Sequence, residues 1–122
     1  MLYVKFNKDG SVNELSITES INQGNHNVNK IFATFVEMPL SDPTVHAEFE
    51  LPDHSVVTLG SISSSTYENE SGYDIYIPNT VTKYAGTIKF HLSLKKTNNT
   101  LYTQQVSLVV NKTPYVYEDE EE

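Results

Sequence analysis

Two stretches of the chain alternate apolar and polar residues without a break. From Thr44 to Leu51, Val45, Ala47, Phe49 and Leu51 fall on one side, and His46, Glu48 and Glu50 on the other. From Thr87 to Lys95, Ile88, Phe90, Leu92 and Leu94 alternate with Lys89, His91, Ser93 and Lys95. A repeat of two sends successive side chains to opposite faces of a strand, whereas a helix would scatter those charges around its circumference. Both stretches are therefore predicted to be strands with one apolar and one charged face.

Weaker patterns fill the rest. Leu2 to Phe6 reads as a first strand closed by the turn Asn7-Lys8-Asp9-Gly10, and Ser11 to Ile21 as a weak second one at best. Asn22 to Asn27 is a polar loop. Lys30 to Met38 has apolar residues on both faces, with Ile31, Ala33 and Phe35 opposite Phe32, Val36 and Met38, so it is expected to be a central strand covered at least partly on both sides and ended by Pro39. Pro52-Asp53-His54 connects the 44–51 strand to Ser55 to Ile62 as a hairpin, with Gly60 a candidate bulge. Ser63 to Gly72 is the most polar stretch of the body and reads as a mobile loop before the strand Tyr73 to Ile77, which stops at Pro78. Asn79 to Gly86 is a turn or one helical turn, and Lys96 to Thr100 returns the chain into a last strand from Leu101 to Val110. Seven or eight short strands without a convincing helical period predict an all-β fold, an antiparallel β-sandwich of the immunoglobulin-like or jelly-roll-like kind, with no significant helix. The sandwich is assigned to residues 1–113, and 114–122 to an acidic linker or truncated tail.

Charge and composition narrow the function more than they reveal it. The chain has 122 residues, a length that one core suffices to stabilise, and no cysteine, so neither a disulfide nor a thiolate is available. The formal charge is −8, but five acids form the run 118–122; without them 11 acids face 8 lysines, a net of −3. There is no arginine. Nucleic-acid binding is not expected, because its affinity depends on a basic surface that releases counterions. The apolar run Leu2-Tyr3-Val4 is broken at Lys5, so the N-terminus reads as neither a signal peptide nor a membrane span, and synthesis in the cytoplasm is expected.

Residues with the potential for catalysis are few. Of the four histidines, His46 and His91 fall on outward faces, where they could form a carboxylate–imidazole site with Glu48 if their strands were neighbours; His54 sits beside Asp53 in a turn, and His26 lies in the polar loop. No HExxH or HxH pair occurs, and polar residues on the outer face are what a one-sided sheet predicts, so these are read as surface. Ser63, Ser64 and Ser65 lack a nucleophile-elbow motif, and Glu48 and Glu50 lie on one face rather than across a cleft. Three acceptor-like triplets, beginning at Asn69, Asn98 and Asn111, are expected by chance among 11 asparagines. The chain is thus expected to be non-enzymatic, with no metal and no cofactor. Tyrosine is abundant and offers contact area with a polar tip; Tyr67, Tyr115 and Tyr117 lie in polar or unpatterned segments and are the interface candidates. A carbohydrate-binding or adhesin-like sandwich is the alternative, with Tyr67, Tyr73 and Tyr76 as stacking platforms and the acidic loop Glu68 to Asp74 as a calcium holder.

The stretch from Tyr73 to Thr113, with Ile77-Pro78, Tyr84-Ala85-Gly86, the amphipathic strand to Leu94, Thr103-Gln104-Gln105 and Val109-Val110-Asn111, resembles the N-terminal domain of baseplate upper proteins from phages of Gram-positive bacteria. The strand at Lys30 to Met38 and Glu50-Leu51-Pro52-Asp53 are compatible with it. The resemblance implies a structural β-sandwich of the virion that docks on the tail baseplate or tail-tip hub and links to a host-recognition region. Its expected partners are other phage tail or baseplate proteins and further copies of itself, without membrane insertion. It supplies no catalytic residues.

Overall fold

The computed structural model describes residues 1–113. The expectations for 114–122, Tyr115 and Tyr117 included, lie outside the described residues. Along the chain run β1 (Leu2–Phe6), β2 (Val12–Ile17), β3 (Ile21–Asn22), β4 (Lys30–Phe35), β5 (Thr44–Glu50), β6 (Val56–Leu59), β7 (Ser64–Tyr67), β8 (Glu70–Tyr76), the single helical turn α1 (Asn79–Thr82), β9 (Gly86–Lys96), β10 (Asn99–Tyr102) and β11 (Val106–Asn111). They form two packed sheets. The first has the order β2-β1-β4-β8-β7; the second has the order β3-β11-β9-β5-β6, with β10 also paired to β9. The fold is therefore the all-β sandwich that the alternation predicts. Among the described residues no helix is long and apolar enough to cross a membrane.

One core lies between the sheets. Leu2, Val4 and Phe6 of β1 and Ile31, Ala33 and Phe35 of β4 face Val45, Ala47 and Phe49 of β5 and Ile88, Phe90 and Leu92 of β9. The rings of Phe49 and Phe90 lie 5.2 Å apart between centroids, and those of Phe6 and Phe35 lie 5.4 Å apart. Each such aromatic pair adds about 0.5–1.5 kcal/mol to the burial of its area. The two clean alternations become adjacent antiparallel strands, with Phe49 directly opposite Phe90 and Glu48 opposite His91.

Four local expectations are corrected. The pairing is mixed rather than purely antiparallel, because β1 runs parallel to β4 and β3 parallel to β11. A tight turn can join only antiparallel neighbours, so β1 reaches β4 through β2 and through β3 of the opposite sheet. The polar stretch 63–72 is not a loop but most of the β7–β8 hairpin, turned by Glu68 and Asn69, both with positive φ (48° and 68°). Two consecutive left-handed residues match the twist of the flanking strands, which lets a short turn close the hairpin without glycine. The weak segment after Ser11 is a full partner of β1. Finally, β4 ends at Phe35, so Val36 and Met38, expected on its second face, lie beyond it and are exposed.

The last expected strand, Leu101 to Val110, is interrupted at Thr103-Gln104-Gln105 and divides into β10 and β11, both along the same edge of β9. Together with β2, β3 and β7 this raises the strand number above the expected seven or eight. The interruption is bridged by a side chain. The Thr103 N–H donates to the Leu92 carbonyl at 2.9 Å, and the Leu92 N–H donates in turn to Thr103 Oγ1 at 2.9 Å. Gln104 ties this point to the first sheet: its N–H donates to the Gly10 carbonyl at 2.8 Å, and its Oε1 accepts from the Val12 N–H at 2.9 Å. A side chain at position 10, where φ is +91°, would meet the Tyr102 carbonyl oxygen at 3.0 Å, so glycine is needed for both the turn and the approach. Thr103→Val removes the acceptor of a buried N–H and is expected to cost about 1–3 kcal/mol in urea unfolding, whereas Thr103→Ser keeps the hydroxyl and most of the stability.

Candidate functional site

The outer face of the first sheet carries the most developed cluster of side chains. On β4 the side chains of Lys30, Phe32 and Thr34 point away from the core, and a phenylalanine there would ordinarily meet water. Phe32 is nevertheless only 1% exposed. Tyr3 of β1, its direct neighbour in register, stacks on it with ring centroids 6.1 Å apart and planes 20° apart. From the far side Tyr67 of β7 meets it at 5.6 Å. The intervening strand, β8, gives way because Gly72 has no side chain: a Cβ there would lie 2.6 Å from Phe32 Cζ and run into the Ala33 carbonyl oxygen. The result is a strip, Tyr3–Phe32–Tyr67, running across the sheet.

A polar network pins one end of the strip. The Tyr3 hydroxyl donates to Glu70 Oε1 at 2.7 Å, and Lys5 Nζ lies 2.8 Å from Glu70 Oε2. Hydrogen bonds from Lys5 first, and then from Tyr3, hold the Glu70 carboxyl below the usual glutamate range. The bond to Glu70 pushes the Lys5 ammonium up, while burial and the same carboxylate push the Tyr3 phenol up. All three groups are thus favoured in their neutral-pH forms. Beside them runs a shallow groove of about 450 Å³, bounded by Tyr3, Lys5 and Glu14 from β1 and β2 and by Tyr67, Glu68 and Glu70 from the β7–β8 hairpin.

Of the tyrosines considered from sequence, only Tyr67 enters this cluster, and it is half-buried against Phe32 rather than free. Tyr73 faces inward and packs on the core. Tyr76 is exposed on the outer face, with the Lys30 ammonium 5.9 Å from its ring centroid. The expected calcium loop is a hairpin in which two of the three acids are engaged elsewhere, Glu70 with Lys5 and Asp74 with Lys30 at 3.8 Å, while Glu68 is exposed at the turn. Among the described residues no group of three or more His, Asp or Glu side chains is placed to hold a metal ion.

On the outer face of the second sheet, β5 and β9 are neighbours, as the carboxylate–imidazole arrangement requires. His91 Nε2 lies 2.9 Å from Glu48 Oε1, and the His91 ring meets Tyr102 edge-on at 6.0 Å. His46 stands opposite Ser93 instead, and its buried Nδ1 has no hydrogen-bond partner. Glu50 turns to His54 at 3.1 Å, so the two glutamates serve different histidines rather than facing each other over a substrate. His26 accepts the Asn79 N–H at 3.0 Å at the start of α1. Apart from His46 Nδ1, these side chains are partnered.

Sequence reasoning missed Tyr3, Lys5, Phe32 and Glu14, and it reached Glu70 only as part of the acidic loop considered for calcium. The alternation of Leu2 to Phe6 already sends Tyr3 and Lys5 outward, and apolar residues on both faces of β4 already require something to cover Phe32. No model of a known protein family matches the chain, and no curated protein matches it.

Gly72→Ala is expected to displace the Phe32 ring and cost about 1–3 kcal/mol, read by thermal and urea unfolding. A carboxyl whose folded pKa is depressed stabilises the protein above its unfolded pKa, about 4.3 for glutamate, and loses that contribution as pH falls through the lower folded value. The melting-temperature gap between wild type and Glu70→Gln is accordingly expected at pH 7 and is expected to shrink as pH falls below about 4.3 and through the depressed folded value of Glu70.

Proposed function

We propose that the domain is a non-enzymatic attachment module of a phage tail baseplate or tail tip, docking on neighbouring virion subunits through the outer face of its first sheet and linking them to a host-recognition region. The observation that carries the docking surface is the Tyr3–Phe32–Tyr67 strip, in which aromatic contact area is already ordered before any partner arrives. Ordering side chains at an interface costs about 0.5–1.5 kcal/mol each, so a strip held by stacking and by Glu70 loses less on association than free side chains would. Tyrosine is also among the residues enriched in such contacts. The assignment to a phage tail is supported by the resemblance of Tyr73 to Thr113 to baseplate upper proteins, and with it the placement in the virion after synthesis in the host cytoplasm.

A second reading, a carbohydrate-binding module, is favoured by one observation, the groove with two tyrosine rings and fixed polar groups at its rim. The calcium-dependent form of that reading gains nothing from Glu70 and Asp74, which are paired to lysines.

The purified chain, mixed with the tail-hub proteins of the phage that encodes it, is expected to form a complex by size-exclusion chromatography with light scattering. Tyr67→Ala is expected to weaken that complex about ten-fold or more. A chain that stays strictly monomeric and binds no tail protein would overturn the proposal, and calorimetric binding of a neutral oligosaccharide lost in Tyr67→Ala would replace it with the second reading.

A further inference from the structure

The groove on the first sheet and a hairpin tip on the second carry opposite, uncompensated charge. Within the groove Glu70 is neutralised by Lys5, but Glu14 and Glu68 are exposed and form no ion pair with any described residue. At the β9–β10 turn, Lys95 and Lys96 are adjacent, exposed and likewise without an ion pair to a described residue. The tip is ordered: Lys95 is in register with Thr100 and Lys96 with Asn99, closing the turn at Thr97 and Asn98. The groove already accommodates one ammonium group, that of Lys5, against the Tyr3 hydroxyl and the Glu70 carboxylate.

We infer that the groove receives the Lys95–Lys96 hairpin tip of a second copy of the chain, with the two ammonium groups set against Glu14 and Glu68 and flanked by the Tyr67 ring. Carboxylates beside an aromatic face suit an ammonium group, through charge and through the ring's quadrupole. Because groove and tip are different surfaces of one molecule, the contact is head-to-tail, and such contacts build rings where the rotation closes and filaments where it does not. The inference rests on the docking role proposed for this face and names one of its partners. Contacts through exposed charges are individually weak and screened by salt, so the association is concentration-dependent and suited to subunits already held close together.

Sedimentation equilibrium of the full chain at about 1 mM and low salt is expected to give a weight-average mass above the 13.8 kDa monomer, with the association weakening about ten-fold as salt rises toward about 0.5 M. Glu14→Lys with Glu68→Lys, and separately Lys95→Glu with Lys96→Glu, are each expected to be monomeric with unchanged melting temperature, since all four residues are exposed. Mixing the two variants restores complementary surfaces and is expected to restore association. A chain variant carrying glutamine or asparagine at 118–122 is expected to associate like wild type. Association that survives both charge reversals, follows the 118–122 acids, or is not restored by mixing overturns the inference. Binding of the wild-type chain to a tail-hub protein with no self-association refutes this inference alone, whereas charge-dependent self-association without hub binding refutes only the baseplate assignment.

Discussion

The structure depends on β4 being buried on both faces. Five of its six residues are buried, and although the inner ones join the common core, Phe32 projects from the opposite side of the sheet. A large apolar ring on an outer face has to be covered or it stays in contact with water, at a cost of about 1.5–3 kcal/mol. The covering is made by Tyr3 from one side and Tyr67 from the other, and it requires that β8 carry no side chain at Gly72. The candidate site is thus the outer half of a second, small apolar cluster.

The same constraint arranges the charges. With Tyr3 laid over Phe32, its hydroxyl reaches Glu70, and Lys5, two residues along β1, reaches the other oxygen of the same carboxylate. An ion pair this accessible is screened by solvent and contributes little to stability on its own. Its effect is to fix the orientation of the aromatic strip and to leave Glu14 and Glu68 as the groove carboxylates without an ion pair among the described residues. On the second sheet two glutamates pair within the face, Glu48 with His91 and Glu50 with His54.

How much could be read from the sequence varied with how local the signal was. The strands at 44–51 and 87–95 were legible because each side chain's environment is set by the strand's own period of two. The β7–β8 hairpin was not, because its residues are polar on both sides and its turn uses Glu68 and Asn69 rather than a glycine. The site was half legible: Tyr67 stood out by its polar surroundings, and Tyr3 and Lys5 faced outward by alternation, but nothing local joined them. The hydrogen bond from Tyr3 to Glu70 spans 67 positions of the chain.

The sequence by itself determined the all-β class, which residues of the clearest strands turn inward, the lack of arginine and the mild acidity of the body, because these follow from composition and from backbone geometry over a few residues. Only the tertiary structure decided that β1 lies parallel to β4, that Thr103 Oγ1 stands in for a backbone acceptor at Leu92, and that Phe32 is roofed by two tyrosines over Gly72. Each of these depends on which distant strands come to lie side by side, a choice made by burying the whole apolar set at once rather than by any single segment's preference.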